Sequence, residues 1–250
     1  MSNVSISTNN LTIGYDNKIV QQNLSFSLLK GEMVCMLGQN GCGKSTLLRT
    51  LAGLQPALDG TFTIANSPLS IANSFKEASQ IALVLTERLS LDNTTVHDVV
   101  AMGRYPYTSF LGGLSDKDEQ IITEALESVG FSNSKVLIQN SKFSSHSDGE
   151  KQRVLIAKAI AQQTPIILLD EPTAHLDLPN RIKVLQLLRR LAHEQQKTIL
   201  ISTHELELAI QLSDRILLMS EQGVLLDTAK NLREQNAFTE AFGMDIFNPL

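Results

Sequence analysis

The segment GQNGCGKST, residues 38–46, carries the clearest chemistry in the sequence and follows the apolar run MVCML. Its three glycines allow the backbone to curl with its N–H groups pointing inward, which other residues do only at a cost. The spacing G-x-x-x-x-G-K-[ST] is that of loops that hold nucleotide phosphates when a strand precedes and a helix follows. An ordinary glycine turn is the alternative, but it gains nothing from a lysine. We therefore predict contacts with a nucleotide and its phosphates from Gly38, Gln39, Asn40, Gly41, Cys42, Gly43, Lys44, Ser45 and Thr46.

Individual side chains in and after this loop suggest separate roles. Lys44 supplies a full positive charge for the β- and γ-phosphates, and Ser45 offers a hydroxyl to Mg²⁺. The run IILLDEP places Asp170 at a predicted strand end, and Mg²⁺ takes one or two such carboxylates in addition to its waters. Glu171, next to it, is a candidate to orient or deprotonate a water that attacks the γ-phosphate. The alternative is a pair of acids that simply end a strand.

The composition excludes several classes of protein. The chain has 250 residues, 42% of them apolar, and a formal net charge of −5. This fits one large α/β domain, or a core with a smaller inserted lobe, and it argues against nucleic acid as the main partner. The two cysteines, Cys35 and Cys42, are too few for a disulfide framework and indicate a reducing, cytosolic compartment. We see neither a signal peptide nor an apolar run of about 20 residues, so we expect no membrane-spanning segment.

Strand and helix signals alternate at both ends of the chain but not in the middle. VSISTNNLTIGY, LSFSLLKGEMVCMLG and GTFTIAN predict strands, and KSTLLRTLAGL predicts a helix after the glycine loop. PIILLD and KTILIST are typical of buried parallel strands, and DRILLMSEQGVLLD of a hairpin. In the middle, DKDEQIITEALESVG places its apolar residues on one helical face. We predict a single domain with an α/β core (1–86 and 162–250), an N-terminal antiparallel β region and an inserted, mainly helical subdomain (87–161).

Three further motifs follow in order: SDGEKQR at 147–153, AHLD at 174–177 and STHE at 202–205. Together with GQNGCGKST and LLDEP they resemble the ATP-binding subunits of ABC transporters, and the resemblance covers nearly the whole chain. One such motif would be weak, but five in the family's order and spacing are specific. The resemblance implies a P-loop NTPase core of the ABC ATPase type, with ATP as substrate and Mg²⁺ as cofactor.

The resemblance also implies a head-to-tail homodimer that holds two ATP molecules at its interface. Ser147, Gly149 and Glu150 of one subunit would then reach the ATP held by the other subunit's glycine loop. The helix that begins there would add its positive N-terminal end. Asp177 would order the dimer interface.

Within each subunit's own site, the resemblance implies that His204 contacts the γ-phosphate and the attacking water. The implied catalytic residues are thus Glu171, His204 and Lys44. Tyr15, about 23 residues before the loop, resembles the aromatic residue that stacks on adenine. The alternatives are a surface aromatic at a strand end for Tyr15 and a hydrogen-bonded core histidine for His204.

Two stretches depart from the family pattern. The family signature reads LSGGQ or LSGGE, whereas this chain reads HSDGE, with His146 and Asp148 at the changed positions. A carboxylate beside a phosphate is unfavourable, so we expect Asp148 to face solvent or its own loop. Where the family has a glutamine that reaches Mg²⁺ and senses the permease, this chain has Thr86, a candidate metal ligand through water. Glu87 is the alternative, because Gln80 falls before the strand.

Cys42 lies inside the phosphate loop. A helix N-terminus lowers the pKa of a thiol, which predicts a modifiable Cys42 whose modification would block ATP binding. The alternative is a small residue that merely fits.

The segment VHDVVAMGRYPYTSFLGGLSDKD, which starts at Val96, resembles importers of iron–siderophore complexes, haem and cobalamin. In those proteins the segment lies beside the groove that receives a cytoplasmic helix of the permease. Tyr105, Tyr107 and Phe110 are therefore candidates for an apolar docking site. The alternative is that Pro106 makes a turn and the aromatic residues pack inward.

This resemblance implies a homodimer on two transmembrane permease subunits, peripheral on the cytoplasmic face of the bacterial inner membrane. An extracytoplasmic binding protein would supply the cargo, and nucleic acid would take no part. Two other functions stay open at this point. An ABC ATPase without a transport role is one, although long coiled-coil or basic insertions are missing. A P-loop kinase for small molecules is the other, and SDGEKQR and AHLD argue against it.

Overall fold

The computed structural model describes residues 3–16, 18–65, 67–68, 79–85, 93–108, 113–131 and 141–243. Its strands, in chain order, are β1 Val4–Tyr15, β2 Lys18–Leu29, β3 Met33–Gly38, β4 Asp59–Ile64, β5 Ser67–Pro68, β6 Ile81–Val84, β7 Ile166–Asp170, β8 Thr198–Ser202, β9 Arg215–Ser220 and β10 Gly223–Asp227. The α-helices among these residues are α1 Lys44–Leu51, α2 Val96–Ala101, α3 Asp116–Ser128, α4 Asp148–Ala161, α5 Leu178–Gln195, α6 Leu206–Leu212, α7 Ala229–Glu234 and α8 Ala237–Phe242. Short 3₁₀ helices span Met102–Tyr107 and Phe143–Ser145.

The larger sheet has six strands in the order β10-β9-β3-β8-β7-β6. Neighbouring strands are parallel except β10, which forms a hairpin with β9. Every residue of β3, β7 and β8 is buried, because both faces of the sheet are covered. Along β3, Met33, Cys35 and Leu37 face one apolar cluster, while Val34 and Met36 face another. The prediction of buried parallel strands at PIILLD and KTILIST is confirmed.

The smaller sheet is antiparallel, in the order β2-β1-β4-β5. Helix α1 contributes fully buried Leu47, Leu48 and Leu51 to an apolar cluster shared with Ile13 of β1 and Val34 of β3. The helix that follows the glycine loop is therefore packed against both sheets. The predicted N-terminal antiparallel β region is confirmed, and so is the α/β fold class.

The middle of the chain is helical where the structure describes it. Helices α2, α3 and α4 pack against one another. The apolar face predicted for α3 is buried through Ile121, Ile122, Ala125 and Leu126. One apolar cluster includes these helices and one face of the six-stranded sheet. Because the packing is continuous, the boundaries of a separate subdomain at 87–161 stay a prediction.

The GRYPY segment lies against the C-terminal end of α4. A Cβ added to Gly103 would come 2.4 Å from the carbonyl oxygen of Lys158, so only glycine permits this close approach. The Tyr107 hydroxyl donates to the carbonyl oxygen of Gln162 at 2.7 Å. Carbonyl groups at a helix C-terminus have no partner within the helix. The segment thus stabilises α4 by supplying one.

Arg104 joins three elements at this point. Its Nε donates to Asp118 Oδ1 of α3 at 2.8 Å, and one terminal nitrogen donates to the carbonyl oxygen of Ala161 in α4 at 2.7 Å. Asp118 also forms a capping box with Ser115 at the start of α3. The hydrogen bonds from Ser115, followed by the one from Arg104, lower the pKa of Asp118 from 3.8 to about 2.

We expect Asp118→Asn to lower the free energy of unfolding at pH 7 by about 1.5–3 kcal/mol, since it removes a charged acceptor from Arg104 and Ser115. A carboxyl group with a depressed folded-state pKa stabilises the fold above its unfolded pKa and loses that contribution as the pH falls through the folded pKa. The stability difference between the variant and the unsubstituted protein should therefore shrink between pH 3.8 and about 2. Urea unfolding at several pH values measures it, and an undiminished difference at pH 2 would contradict the assignment.

Candidate functional site

The glycine loop connects β3 to α1, as the sequence pattern predicted. Gly38 is the last residue of β3, and Gly43 is the N-cap residue of α1. Gly41 and Gly43 have φ angles of +79° and +100°, in the left-handed region that favours glycine. The loop therefore turns its backbone around the N-terminus of a helix, which is a favourable place for anions.

Lys44 is buried within the curve of this loop, with only 7% of its surface exposed. Its Nζ donates to the carbonyl oxygens of Gly38 at 2.8 Å and Gln39 at 3.0 Å. A buried ammonium group is stable only with such partners. The loop thus holds a positive charge in place before any phosphate arrives.

An open pocket of about 440 Å³ lies over the loop. Asn40, Gly41 and the residues from Gly43 to Thr46 form one side of it, and Glu171 contributes from the end of β7. Tyr15 lines the same pocket from the end of β1 and is 53% exposed. The structure therefore brings the residue predicted to stack on adenine next to the residues predicted to hold phosphate, and its role stays a prediction.

The two acids at the end of β7, Asp170 and Glu171, occupy different environments. Asp170 is buried, and its Oδ1 accepts a hydrogen bond from Ser202 Oγ of β8 at 2.5 Å. The backbone N–H of Glu171 donates to the same Ser202 Oγ at 2.9 Å. Ser202 therefore fixes both acids, a role that the sequence did not reveal although the residue belongs to the STHE motif. The contact follows from strand pairing, because Ser202 lies opposite Asp170 on the neighbouring parallel strand.

Glu171 and His204 meet at the edge of the pocket. His204 Nε2 lies 2.7 Å from Glu171 Oε1, and the two side chains are 45% and 32% exposed. The backbone of Glu171 has a φ angle of +45°, which is uncommon for a residue other than glycine. A carboxylate beside an imidazole, both open to solvent and next to a phosphate loop, is suited to handling the protons of a water molecule.

The residues predicted to hold Mg²⁺ fit that ion. Within the part of the chain that the structure describes, no three His, Cys, Asp or Glu side chains form a cluster able to hold a metal. Mg²⁺ needs no such cage, because it keeps several waters and takes its other ligands from substrate phosphates. The exposed Ser45 and the buried Asp170 supply one hydroxyl and one carboxylate. Thr86, the further candidate, lies outside the described residues.

Ser147 begins the signature helix α4 as its N-cap residue. Its Oγ accepts from the backbone N–H of Glu150 at 3.3 Å, and Glu150 Oε2 accepts from the Ser147 backbone N–H at 3.0 Å. These hydrogen bonds, the backbone one first, lower the pKa of Glu150. Asp148 is half-exposed, 3.8 Å from Lys151 on the same helix. The prediction that Asp148 faces solvent or its own loop is confirmed, because the side chain is open to solvent.

The AHLD loop, residues 174–177, packs against this helix start. A Cβ on Gly149 would lie 3.0 Å from the carbonyl oxygen of His175 and 3.2 Å from Leu176 Cδ2. Asp177 is the N-cap residue of α5, with its Oδ1 accepting from the backbone N–H of Asn180 at 3.1 Å. Asp177 therefore has a structural role within the subunit, and its predicted role at a dimer interface stays a prediction.

The structure divides the predicted ATP-binding residues into two sets. Tyr15, Lys44 and Glu171 share the pocket, whereas Ser147, Gly149 and Glu150 are not part of its lining among the described residues. Gly38, Gln39 and Cys42 of the loop also lie outside the lining, and the Gln39 side chain donates to the carbonyl oxygen of Ala241 in α8. A single subunit thus presents a phosphate loop without the signature residues over it.

The expectation of a lowered pKa for the Cys42 thiol is wrong. Cys42 is half-buried, and burial raises its pKa above 9.0 even though the neighbouring Lys44 charge acts in the opposite direction. Cys35, fully buried in β3, has its pKa raised to about 12. Desolvation of the thiolate is the largest cause at both positions, and at Cys42 it outweighs the opposing effects of the Lys44 charge and the backbone hydrogen bonds.

We expect Glu171→Gln to bind ATP with nearly unchanged affinity and to hydrolyse it about 100-fold or more slowly, because the amide cannot accept a proton from water. Nucleotide binding and phosphate release, measured on the same preparation, separate the two effects. Glu221→Gln, in the exposed turn between β9 and β10, is the matched control and should keep normal turnover. Normal turnover in Glu171→Gln would mean that another group is the base.

We expect iodoacetamide to alkylate Cys42 more slowly at pH 8 than it alkylates a small model thiol, because only the thiolate reacts. With a pKa raised above 9.0, the alkylation rate should still increase with pH beyond that value. Mass spectrometry of each cysteine-containing peptide measures the rate, with buried Cys35 as the unreactive internal reference. A plateau below pH 8 would show that the thiol is activated after all.

In the described residues, no helix is both long enough and apolar enough to cross a membrane.

The ABC transporter family model matches residues 21–174. The chain is 34% identical to the iron(3+)-hydroxamate import ATP-binding protein FhuC of Bacillus subtilis strain 168, over 96% of this chain and 88% of that protein. A solved inward-facing transporter described as metal-chelate type gives a TM-score of 0.81 at 32% identity, covering 96% of this chain and 90% of its own. A solved dimer of the ATP-binding cassette MJ0796, bound to ADP and phosphate, gives 0.78 at 26% identity, covering 89% and 98%. These matches agree with the geometry of the pocket, and the chain therefore belongs to the ABC transporter family as one of its ATP-binding, ATP-hydrolysing subunits.

Proposed function

We propose that this chain powers the import of metal chelates of the iron–siderophore class, with haem and cobalamin as further candidate cargoes. The relative from Bacillus subtilis, named for iron(3+)-hydroxamate import, and the metal-chelate type transporter support this cargo class. Two copies would work on two transmembrane permease subunits at the cytoplasmic face of the bacterial inner membrane. An extracytoplasmic binding protein would deliver the chelate, and nucleic acid would take no part.

The observation that carries the hydrolytic role is the contact of Glu171 with His204 beside the Lys44 loop. Lys44 would neutralise charge on the β- and γ-phosphates, aided by the N-terminal end of α1. Glu171 would orient the attacking water or accept its proton, while His204 would hold the carboxylate and contact the γ-phosphate. When bound, Mg²⁺ would withdraw charge from the same phosphates, held by Ser45 and Asp170.

A second subunit would complete the site. The lid segment, which we define as Ser147–Glu150, begins α4 and is not part of the lining of the chain's own pocket. Such a helix end attracts anions. In a head-to-tail pair, each lid segment would cover the ATP in the partner's loop, and Asp177 would lie near the interface. The dimeric ATP-binding cassette among the structural matches supports this arrangement.

The docking segment, which we define as residues 103–107, is the candidate contact with the permease. Tyr105 is 61% exposed and Tyr107 is 44% exposed, whereas buried aromatic residues would have supported an inward-packed turn. Arg104 lies 4.2 Å from the centre of the Tyr107 ring and holds it against the protein. Exposed aromatic residues on a rigid support are typical of binding sites. Phe110, the third candidate, lies outside the described residues.

Of the two alternative functions that the sequence left open, one is now set aside. Membership of the ABC transporter family sets aside a small-molecule kinase. An ABC ATPase with no transport role remains the second candidate. An ATPase of that kind has no permease for the exposed tyrosines of the docking segment to contact.

The test is uptake by the whole transporter, reconstituted with its permease and binding protein in vesicles and offered a ferric hydroxamate, haem or cobalamin. We expect ATP-dependent uptake of the ferric hydroxamate. Tyr105→Ala should lose most of that uptake while retaining ATP binding, because the side chain has no role in the nucleotide pocket. The matched control is Leu225→Ala, which removes another exposed large apolar side chain, on β10, and should keep full uptake.

Absence of uptake of all three cargoes by an ATPase-active transporter would overturn the proposed cargo class. Unchanged uptake in Tyr105→Ala would overturn the docking role of that residue.

A further inference from the structure

Arg181 occupies a position that local helix energetics disfavour. It is the fourth residue of α5, and the first turn of that helix contains no acidic residue. A cation in the first turn opposes the helix dipole. The presence of Arg181 at this position indicates that its side chain has a partner outside the helix, which offsets the unfavourable interaction with the dipole.

Two loops supply those partners. Arg181 Nε donates to the carbonyl oxygen of Leu176, at 2.7 Å, in the AHLD loop. One terminal nitrogen forms an ion pair with Oε1 of Glu205, the residue after His204. The guanidinium has its donors in a fixed planar arrangement, so two simultaneous contacts fix the distance between the two loops.

On one side, Arg181 is connected to the lid segment. Leu176 and His175 lie against Gly149, where a Cβ would come within 3.0 Å of the His175 carbonyl oxygen. Because there is no space at this contact, a shift of the AHLD loop must move the start of α4 or be resisted by it.

On the other side, Arg181 is connected to the catalytic pair. Glu205 is the N-cap residue of α6, and its backbone N–H donates to Thr203 Oγ1 at 3.1 Å. The adjacent His204 contacts Glu171 at 2.7 Å. The turn that carries His204 is therefore held both by Thr203, the residue after β8, and by Arg181.

We propose that Arg181 is a positioning residue that couples the lid segment, which a subunit offers to its partner, to the Glu171–His204 pair of the subunit's own site. The proposal rests on the head-to-tail dimer of the proposed function. In that dimer the two ends of this connection contact two different ATP molecules. Closure of the lid segment on one nucleotide would thus set His204 correctly for hydrolysis of the other.

The ion pair between Arg181 and Glu205 contributes too little to the free energy of folding for stability to be its main role, and this supports a role in positioning. The side chains of Arg181 and Glu205 are 27% and 37% exposed, and pairs of that kind contribute little to the free energy of folding. By contrast, a displacement of about 1 Å in reacting groups can lower a rate by about 10²-fold. Loss of Arg181 should therefore affect turnover more than thermal stability.

The experiment uses the full chain and compares Arg181→Gln, Arg181→Lys, Glu205→Gln and the double variant Arg181→Gln/Glu205→Gln. The matched control is Arg190→Gln, an exposed arginine on the same helix. Each is measured for kcat and KM of ATP hydrolysis, ATP affinity and melting temperature. The Arg181 substitution is also combined with Glu171→Gln, and ATP-dependent dimer formation is measured by light scattering.

We expect Arg181→Gln to lower kcat about 10- to 100-fold, with ATP affinity, KM and melting temperature close to those of the control. Glu205→Gln should also lower kcat. The double variant should be no slower than Arg181→Gln, because both substitutions remove the same ion pair. Arg181→Lys should be intermediate, since an ammonium group retains the charge without the planar arrangement. In the Glu171→Gln background, Arg181→Gln should weaken ATP-dependent dimer formation.

The proposal is overturned if Arg181→Gln hydrolyses ATP as fast as Arg190→Gln. It is also overturned if the fold-decrease in kcat of the double variant equals the product of the fold-decreases of the two single variants. A kcat that falls only together with the melting temperature would overturn it as well. Failure of the proposed function gives a different result. In that case the unsubstituted chain would not hydrolyse ATP, or Glu171→Gln alone would not form a dimer with ATP.

Discussion

The site depends on three neighbouring parallel strands that are buried throughout and end at one edge of the sheet. Strand β8 lies between β3 and β7, with Ser202 opposite Met36 on one side and Asp170 on the other. Since parallel strands are spaced about 4.8 Å apart, the segments that follow them are close to one another. The glycine loop, the Asp170–Glu171 pair and His204 follow these three strands. A register slip of one residue between β7 and β8 would turn Asp170 to the other face, so the pairing itself positions the metal candidate.

Electrostatics then decide how the loop and the acids coexist. A triphosphate is a concentrated negative charge, yet the pocket includes Glu171 and lies beside buried Asp170. Lys44 and the N-terminus of α1 offset that charge, and the carbonyl oxygens of Gly38 and Gln39 hold the ammonium group before the nucleotide binds. A group that is already in place does not have to reorganise when the reaction begins, which is the most effective form of electrostatic stabilisation.

Helix α4 connects the two surfaces that must respond to each other in the proposed transporter. Its N-terminal end is the lid segment, closed by the hydrogen bonds between Ser147 and Glu150. At its C-terminal end, Arg104 and Tyr107 of the docking segment donate to the last carbonyl groups. Because an α-helix transmits displacement along its axis with little deformation, force on the docking segment would reach the lid segment. The continuous apolar cluster that surrounds α4 supports that rigidity.

The sequence was sufficient for those parts of the site whose chemistry is contained in a few consecutive residues. The glycine spacing before Lys44 predicted the loop, and the apolar runs before Asp170 and His204 predicted the buried strands that hold them. Local pattern is enough there because backbone conformation and burial on both faces are written into neighbouring residues. Contacts between distant segments were not predictable in this way. The hydrogen bond from Ser202 to Asp170 and the ion pair between Arg181 and Glu205 were assigned only from the folded chain.

Cys42 illustrates the difference most clearly. Its position at a helix N-terminus predicted a lowered thiol pKa, whereas burial in the folded chain raises it. The sequence by itself identified the candidate residues for phosphate, metal and water, since that chemistry belongs to the residue types and their spacing. The tertiary structure decided which of them share a pocket, which hold one another and how far each is removed from water. These properties come from strand order and packing between segments far apart in the chain, and no local pattern contains them.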